Sequence, residues 1–239
     1  MKKDYGKILD PFNGLEDFFS LSDSSESDWE HTVSWIDCLT GADVRGIFMR
    51  ANPSAITQGK ERSTMTKRMF FTPPVPPMNR PMLRAFNFTY YWAQRAKPRK
   101  SVAHYESFFY PLDGLLEWNR IYGPDGFYQY QSVIPRETGL DATREMLREI
   151  SRSGEGSFLA VLKTFGERRA TGILSFARPG VTLALDFPNR KSKTLSLFSR
   201  LDSIVKSAGG ALYLAKDARM DRNMFASTYP DIDRFLDFR

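Results

Sequence analysis

The chain has one cysteine, Cys38, and only two histidines, His31 and His104, in 239 residues. A cysteine-rich zinc site needs several thiolate or imidazole ligands and a disulfide needs a second thiol, so neither can be built within one chain. No metal centre is expected, and a single thiol suits a reducing compartment. No run of about 18 apolar residues occurs, so no membrane-spanning helix is expected. Lys2 and Lys3 have no apolar stretch behind them, which speaks against a secretory signal and for a cytoplasmic location. Also missing are a GxGxxG after a strand, a GxxxxGK[ST] loop and a GxSxG elbow. Neither histidine stands in a context that suggests a Ser-His-Asp arrangement. The chain therefore carries no recognisable catalytic unit of its own.

What is present describes a folded, basic protein. Hydrophobic residues make up 41% and charged residues 26%, enough apolar material for a sizeable core and too much for wholesale disorder. Lys and Arg exceed Asp and Glu by 34 − 28 = 6, and the pI is near 9.4. That balance favours anionic partners such as phosphates, nucleic acid or a membrane surface, without choosing among them.

The first thirty residues read as a mixed, polar segment ending in the acidic stretch SDSSESDWE (22–30), with a folded domain expected over 31–239. Short strands are predicted at Val33–Leu39 and Gly46–Ala51, Cys38 being a buried small hydrophobe in the first. Asn52 to Pro81 lacks periodicity: Lys60, Arg62, Lys67 and Arg68 lead into Met69, Phe70, Phe71 and four prolines between 73 and 77. It reads either as a solvated basic loop or, over 54–71, as a basic and aromatic surface for anionic lipid headgroups. Met82–Ala96 fits helix or strand equally.

From residue 126 the periodicities sharpen. Strands are predicted at Phe127–Ile134, Ser157–Phe165, Val181–Phe187 and Ala211–Lys216. Between them lie amphipathic helices at Asp141–Ser151 and Leu195–Ala208, the second stopped by Gly209-Gly210. One or two short helices follow over 220–238, broken at Tyr229-Pro230. Strand–helix–strand, strand–helix–strand is the ferredoxin-like βαββαβ order. The expected fold is thus α+β, an antiparallel sheet with both helices on one face, enlarged or covered by the N-terminal strands and the aromatic middle segment.

Within that sheet Gln129 and Gln131, two apart, share a face. Thr182, Ala184 and Asp186 alternate with the apolar Val181, Leu183, Leu185 and Phe187, while Lys163 and Lys216 close apolar runs. Gln129, Gln131, Lys163, Thr182 and Lys216 could line a pocket for a polyhydroxylated, anionic or carbonyl-bearing ligand, or simply mark a solvent-facing side. A basic sheet bearing aromatics can also stack RNA bases, but Tyr128 and Tyr130 have the opposite parity and no RNP-type motif occurs, so nucleic acid is not expected.

Four segments resolve that choice by resemblance. YPLDGLLEWNRIYGPDGFYQYQSVIP (110–135), FLAVLKTFG (158–166), LSFARPGVTLALDFPN (174–189) and GGALYLAKDARM (209–220) resemble the substrate, or cap, domain of the FAD-linked oxidases of the vanillyl-alcohol oxidase group, nearest the decaprenylphosphoryl-ribose oxidases. The resemblance implies that a separate domain, in cis or in trans, holds most of the FAD. This chain would cover the isoalloxazine, supply much of a sugar pocket and be inactive alone. It implies that Gln129, Gln131, Lys163, Phe165, Thr182, Ala184 and Phe109 meet the substrate. Tyr213 and Lys216 would meet FAD, with Lys216 at the reactive end. Thr182, Ala184 and Phe109 stand where the family has asparagine, cysteine and tyrosine, which leaves the identity of the sugar open and removes thiol chemistry at 184. A polyprenyl-phosphate pentose is the substrate so implied, with an aldonolactone as the alternative.

Overall fold

A strand with one wet face alternates, and a helix laid on its dry face repeats every three to four residues. Both rules operate in the C-terminal half of the chain. The computed structural model describes residues 4–55, 67–74, 78–110, 112–168, 170–216 and 219–239. In chain order these form β1 (Asp4–Asn13), α1 (Leu15–Asp23), β2 (His31–Ile36), β3 (Arg45–Ser54), β4 (Lys67–Arg68), α2 (Arg80–Arg95), β5 (Lys100–His104), α3 (Tyr105–Phe109) and β6 (Leu115–Leu116). A 3₁₀ turn at Trp118–Tyr122 leads into β7 (Phe127–Ile134), α4 (Arg136–Ser153), β8 (Val161–Phe165), β9 (Gly180–Pro188), α5 (Ser192–Ser207), β10 (Ala211–Leu212), α6 (Arg222–Thr228) and α7 (Ile232–Phe238).

Eight strands make one antiparallel sheet in the order β10-β7-β9-β8-β2-β3-β1-β5, and β4 and β6 form a separate parallel pair. The fold is a mixed α and β one built on a large antiparallel sheet. The order contains a repetition. In the second half β7, β8, β9 and β10, joined by α4 and α5, lie as β10-β7-β9-β8. In the first half β1, β2, β3 and β5, joined by α1 and α2, lie as β5-β1-β3-β2. The two quartets meet edge to edge where β2 pairs with β8, Ser34 opposite Leu162 and Trp35 opposite Val161.

One face of the sheet carries the main core. Phe12, Phe48, Leu162, Leu183, Leu185 and Phe187 meet Phe18 of α1, Met146 and Ile150 of α4, and Phe198 and Leu201 of α5. Phe198 touches Tyr128, Tyr130 and Phe187, so the two tyrosines that might have stacked bases face the helices. The expectation that the helices share one face holds for α1, α4 and α5 and fails for α2. Its Tyr91 packs on Leu9, Trp35 and Ile47 on the opposite face. Farther along that face Phe176 and Tyr229 pack on Val133 and Ala211.

Several sequence expectations are corrected here. The ambiguous Met82–Ala96 is helix α2: the Asn79 side chain caps it by accepting from the Met82 N–H, and Leu83, Asn87 and Tyr91, each four apart, form its buried edge. The strands expected at Ser157–Phe165 and Ala211–Lys216 are shorter. Ser157 spends its hydroxyl on the Leu159 and Asp186 backbones, and the chain turns after Tyr213 where Lys216 N–H donates to the Tyr213 carbonyl. Most of the basic stretch 54–71 lies outside the described residues.

The polar lead-in contributes an internal strand and a helix to the fold. β1 lies between β3 and β5, and its Asp10, 7% exposed, holds Arg50 and Arg99 at 2.6 Å each. Removing Asp10 leaves the mostly buried Arg50 without its carboxylate. Asp10→Ala should therefore destabilise the protein by about 3 kcal/mol, read as a lowered urea midpoint. A change within experimental error would show that residues 4–13 are dispensable to the fold.

Candidate functional site on the second face of the sheet

The second face of the sheet is apolar where α2 and Tyr229 cover it and polar between them. Register builds the polar part row by row. Gln129 lies opposite Asp186, Gln131 opposite Ala184, and Val133 opposite Thr182. On the other side of β9, Val161 lies opposite Ala184, Lys163 opposite Thr182 and Phe165 opposite Gly180. Directly opposed residues share a face, so Gln129, Gln131, Lys163, Phe165, Thr182, Ala184 and Asp186 stand together. Tyr213 joins the middle row, its backbone N–H donating to the Gln131 carbonyl at 2.9 Å. The strands thus bring together every strand residue that the sequence singled out.

Side-chain contacts hold this patch in a fixed arrangement. Gln131 Nε2 donates to Thr182 Oγ1 at 3.1 Å, and Gln129 Nε2 donates to Asp186 Oδ1 at 3.0 Å. The Tyr213 ring stacks on Phe176, centroids 4.6 Å apart, and Phe176 meets the edge of Phe165. Lys163 Nζ lies 5.4 Å from the centre of the Phe165 ring.

The electrostatics identify Lys216 as the charge these residues share. Burial lowers the Lys163 pKa from its ordinary value, and the positive charge of Lys216 lowers it further. Burial raises the Asp186 pKa, while the Gln129 hydrogen bond and the same Lys216 charge pull it back. A cation, a second cation and a carboxylate thus converge on one half-buried face. Such an arrangement can hold hydroxyls and a carbonyl or anionic group in fixed orientation.

Asp186 is the residue that the sequence reading did not nominate. Its signal was there, since the alternation of VTLALDF sets it on the face of Thr182 and Ala184. Trp35 was also passed over. It lies opposite Val161, and its indole N–H donates to the Phe158 carbonyl at 3.0 Å. Phe109 is placed differently from the rest. Its ring packs on Tyr5 and His31 above β1 and β2, with no described contact to the glutamines or Lys163. Cys38 is wholly buried, bonded to Ser157, and its thiol pKa is pushed up to about 12, so it is inert as a nucleophile. Among the described residues no cluster of His, Cys, Asp and Glu could hold a metal ion.

No family model matches the chain. Over 228 residues, 91% of its length, it is 32% identical to decaprenylphosphoryl-β-D-ribose oxidase of Mycolicibacterium smegmatis. The resemblance to the FAD-linked oxidases holds. Over 231 residues, 90% of its length, the chain is 26% identical to an uncharacterized protein in the mprA 5′ region of Streptomyces coelicolor. The chain spans 49% and 62% of these two relatives. Solved structures of berberine bridge enzyme, one of them from Eschscholzia californica, superpose on 86% of it at TM-scores of 0.43 to 0.45 with 12 to 13% identity, covering 41% of their own chains. That superposition is too loose to argue from.

The two displaced pKa values make a stability prediction with a definite sign. Between the lowered Lys163 value and the ordinary lysine value of about 10.4, the unfolded chain binds more protons. Stability therefore rises with pH through that window, and charged Lys163 is a liability below it. Between the ordinary aspartate value of about 3.9 and the raised Asp186 value, the folded chain binds more protons. Stability therefore falls as pH rises there, and the deficit persists above it. Lys163→Met and Asp186→Asn should each raise the urea midpoint at pH 7. The first should also flatten the alkaline rise and the second the acid-side fall. Lowered midpoints in both variants would mean that these charges support the fold.

Proposed function

We propose that this chain is the substrate-binding and flavin-capping domain of an FAD-dependent sugar oxidoreductase. Its second half is read as the ferredoxin-like βαββαβ unit expected from the sequence, and the domain is taken to begin at β1. The observation that carries the reading is the strand register that sets Gln129, Gln131, Lys163, Thr182 and Asp186 on one face, the two glutamines fixed by hydrogen bonds, with the Lys216 charge acting on Lys163 and Asp186. Evolution retains buried charges that weaken a fold where they serve a ligand. The likeness to decaprenylphosphoryl-β-D-ribose oxidase supports a sugar-bearing ligand.

The residues present suit one part of FAD and not another. The Tyr213 and Phe176 stack, with Lys216 three residues on, offers a flat aromatic surface and a cation, which fits a ring system that takes up negative charge. No glycine-rich loop that would cradle a diphosphate occurs in the sequence, so that part is assigned to an FAD-binding domain supplied in cis or in trans. When bound, FAD supplies the acceptor for the two electrons of the sugar C–H bond. The chain's own groups do the rest. Gln129 and Gln131, whose amide oxygens accept no hydrogen bond among the described residues, orient sugar hydroxyls. Lys163 holds an anionic or hydroxyl group as a point charge. Lys216 favours negative charge where flavin and sugar meet.

Substrates follow from this. A sugar or a polyprenyl-phosphate sugar fits a face with two amides and two ammonium groups. Ala184 leaves more room than a cysteine would. Joined to an FAD-binding domain, the chain should give a yellow protein whose flavin is bleached anaerobically by its sugar. In that complex Lys216→Met should slow bleaching by roughly 100-fold with little change in sugar affinity. Gln131→Ala should weaken sugar binding by roughly tenfold. Loaded flavin that no sugar or sugar phosphate bleaches would sink the proposal.

A further inference from the structure

Helix α2 presents a second chemical surface, unrelated to the polar rows and independent of the function proposed for them. Its sequence, RPMLRAFNFTYYWAQR, contains Arg80, Arg84 and Arg95 and no acidic residue. Leu83, Asn87 and Tyr91 are buried, while Met82, Phe86, Phe88 and Trp92 are 39 to 56% exposed. Phe88 and Trp92, one turn apart, have ring centres 6.2 Å from each other. Cations sit over both. The Arg95 guanidinium lies 5.1 Å from the Trp92 ring and the Arg45 guanidinium 5.7 Å from Phe88.

Beside this stripe runs a cleft of about 700 Å³, lined by Arg45, Arg80, Arg84 and Phe88 together with the Thr40 and Ser151 hydroxyls. Its one acidic lining residue is already committed. Asp37 Oδ2 accepts from Nε and Nη2 of Arg45 at 3.2 and 3.0 Å, and Oδ1 accepts from Asn87 at 2.7 Å and the Leu39 N–H at 3.3 Å. Arg80 and Arg84 form no salt bridge among the described residues. The buried Asn87–Asp37 bond ties α2 to the floor of the cleft, so the helix that carries Arg80 and Arg84 stays beside it. A cleft with two exposed arginines that form no salt bridge among the described residues, next to exposed aromatics on a helix without acids, matches an interface that is anionic outside and apolar just beneath.

We propose that α2 and its arginine cleft bind phosphate headgroups at an anionic membrane surface, with Phe88 and Trp92 entering the headgroup layer. The phosphate takes the Arg80 and Arg84 forks bidentately, as guanidinium geometry favours.

The test is co-sedimentation of the chain with phosphatidylcholine vesicles, with and without phosphatidylglycerol, alongside titration with glycerol phosphate in solution. Binding should require phosphatidylglycerol, weaken with salt and shift the Trp92 emission to the blue. The exposed double variant R80Q/R84Q should keep its circular dichroism and urea midpoint while losing roughly 20-fold in vesicle affinity. Undiminished vesicle binding by that variant would overturn the assignment. So would glycerol phosphate binding without vesicle binding, which would make the cleft a site for a soluble phosphate. Loss of vesicle binding once an FAD-binding domain is joined would also overturn it, making α2 an interdomain face.

Discussion

The pairing of β2 with β8 is the constraint on which the rest of the molecule depends. Two quartets of strands with the same internal order would be two small sheets, each with an unpaired edge. Joined by Ser34 opposite Leu162 and Trp35 opposite Val161, and by the Ile36 N–H donating to the Ala160 carbonyl, they become one sheet with a shared core beneath it. The join also fixes the neighbourhood of the polar rows. Trp35 from the first quartet lies beside Val161 from the second, and Val161 is the neighbour of Ala184. A one-residue slip at this seam would turn Trp35 toward the face covered by α1, α4 and α5 and bring Ser34 to the other. The Trp35 indole bond to the Phe158 carbonyl opposes that slip, because it is made only in the observed register.

With the seam fixed, the two faces take different roles. One buries aromatic and aliphatic side chains under three helices, the ordinary source of stability. The other puts Lys163 and Asp186 where burial opposes their charge. Neither group is neutralised by a tight partner of opposite sign among the described contacts. Asp186 receives one amide hydrogen bond from Gln129, and Lys163 rests against the Phe165 ring. A fold selected only for stability would place such groups on its rim. Their position in the middle of a sheet, beside side chains already fixed by hydrogen bonds, is the preorganisation that the proposed substrate site would need.

The C-terminal half was legible because local pattern and tertiary role agree there. VTLALDF alternates, the helix after it repeats on one stripe, and the glycines fall where the chain turns. Gly180, at φ +149, runs so close to the Ile134 carbonyl that any Cβ would meet that oxygen at 2.2 Å. The N-terminal half was not legible because its decisive contacts are distant. Strand β1 reads as polar through Lys7 and Asp10, and what makes Asp10 tolerable inside the sheet are Arg50 and Arg99, 40 and 89 residues away. The site divides the same way. Alternation places Gln129, Gln131, Thr182 and Ala184 on one face, and it placed Asp186 there too. The convergence of Lys216 on Lys163 and Asp186 depends on a turn after β10, which no period encodes.

The arginines of this protein fall into two populations, and the difference bears on what the surface is for. Arg50, Arg190 and Arg219 are tied to Asp10, Glu155 and Asp202, each linking segments far apart in sequence or folding a turn back on a helix. Such pairs fix geometry and leave little net charge outside. Arg80 and Arg84 are exposed, line an open cleft and form no salt bridge among the described residues. Solvated cations contribute little to stability, so their placement on a helix free of acids is not accounted for by the fold. Nor do they belong with the polar rows, whose cations are drawn under cover. A half-buried pair of lysines suits the proposed positioning of one small ligand. Wet arginines beside exposed phenylalanine and tryptophan suit the extended anionic surface proposed for them.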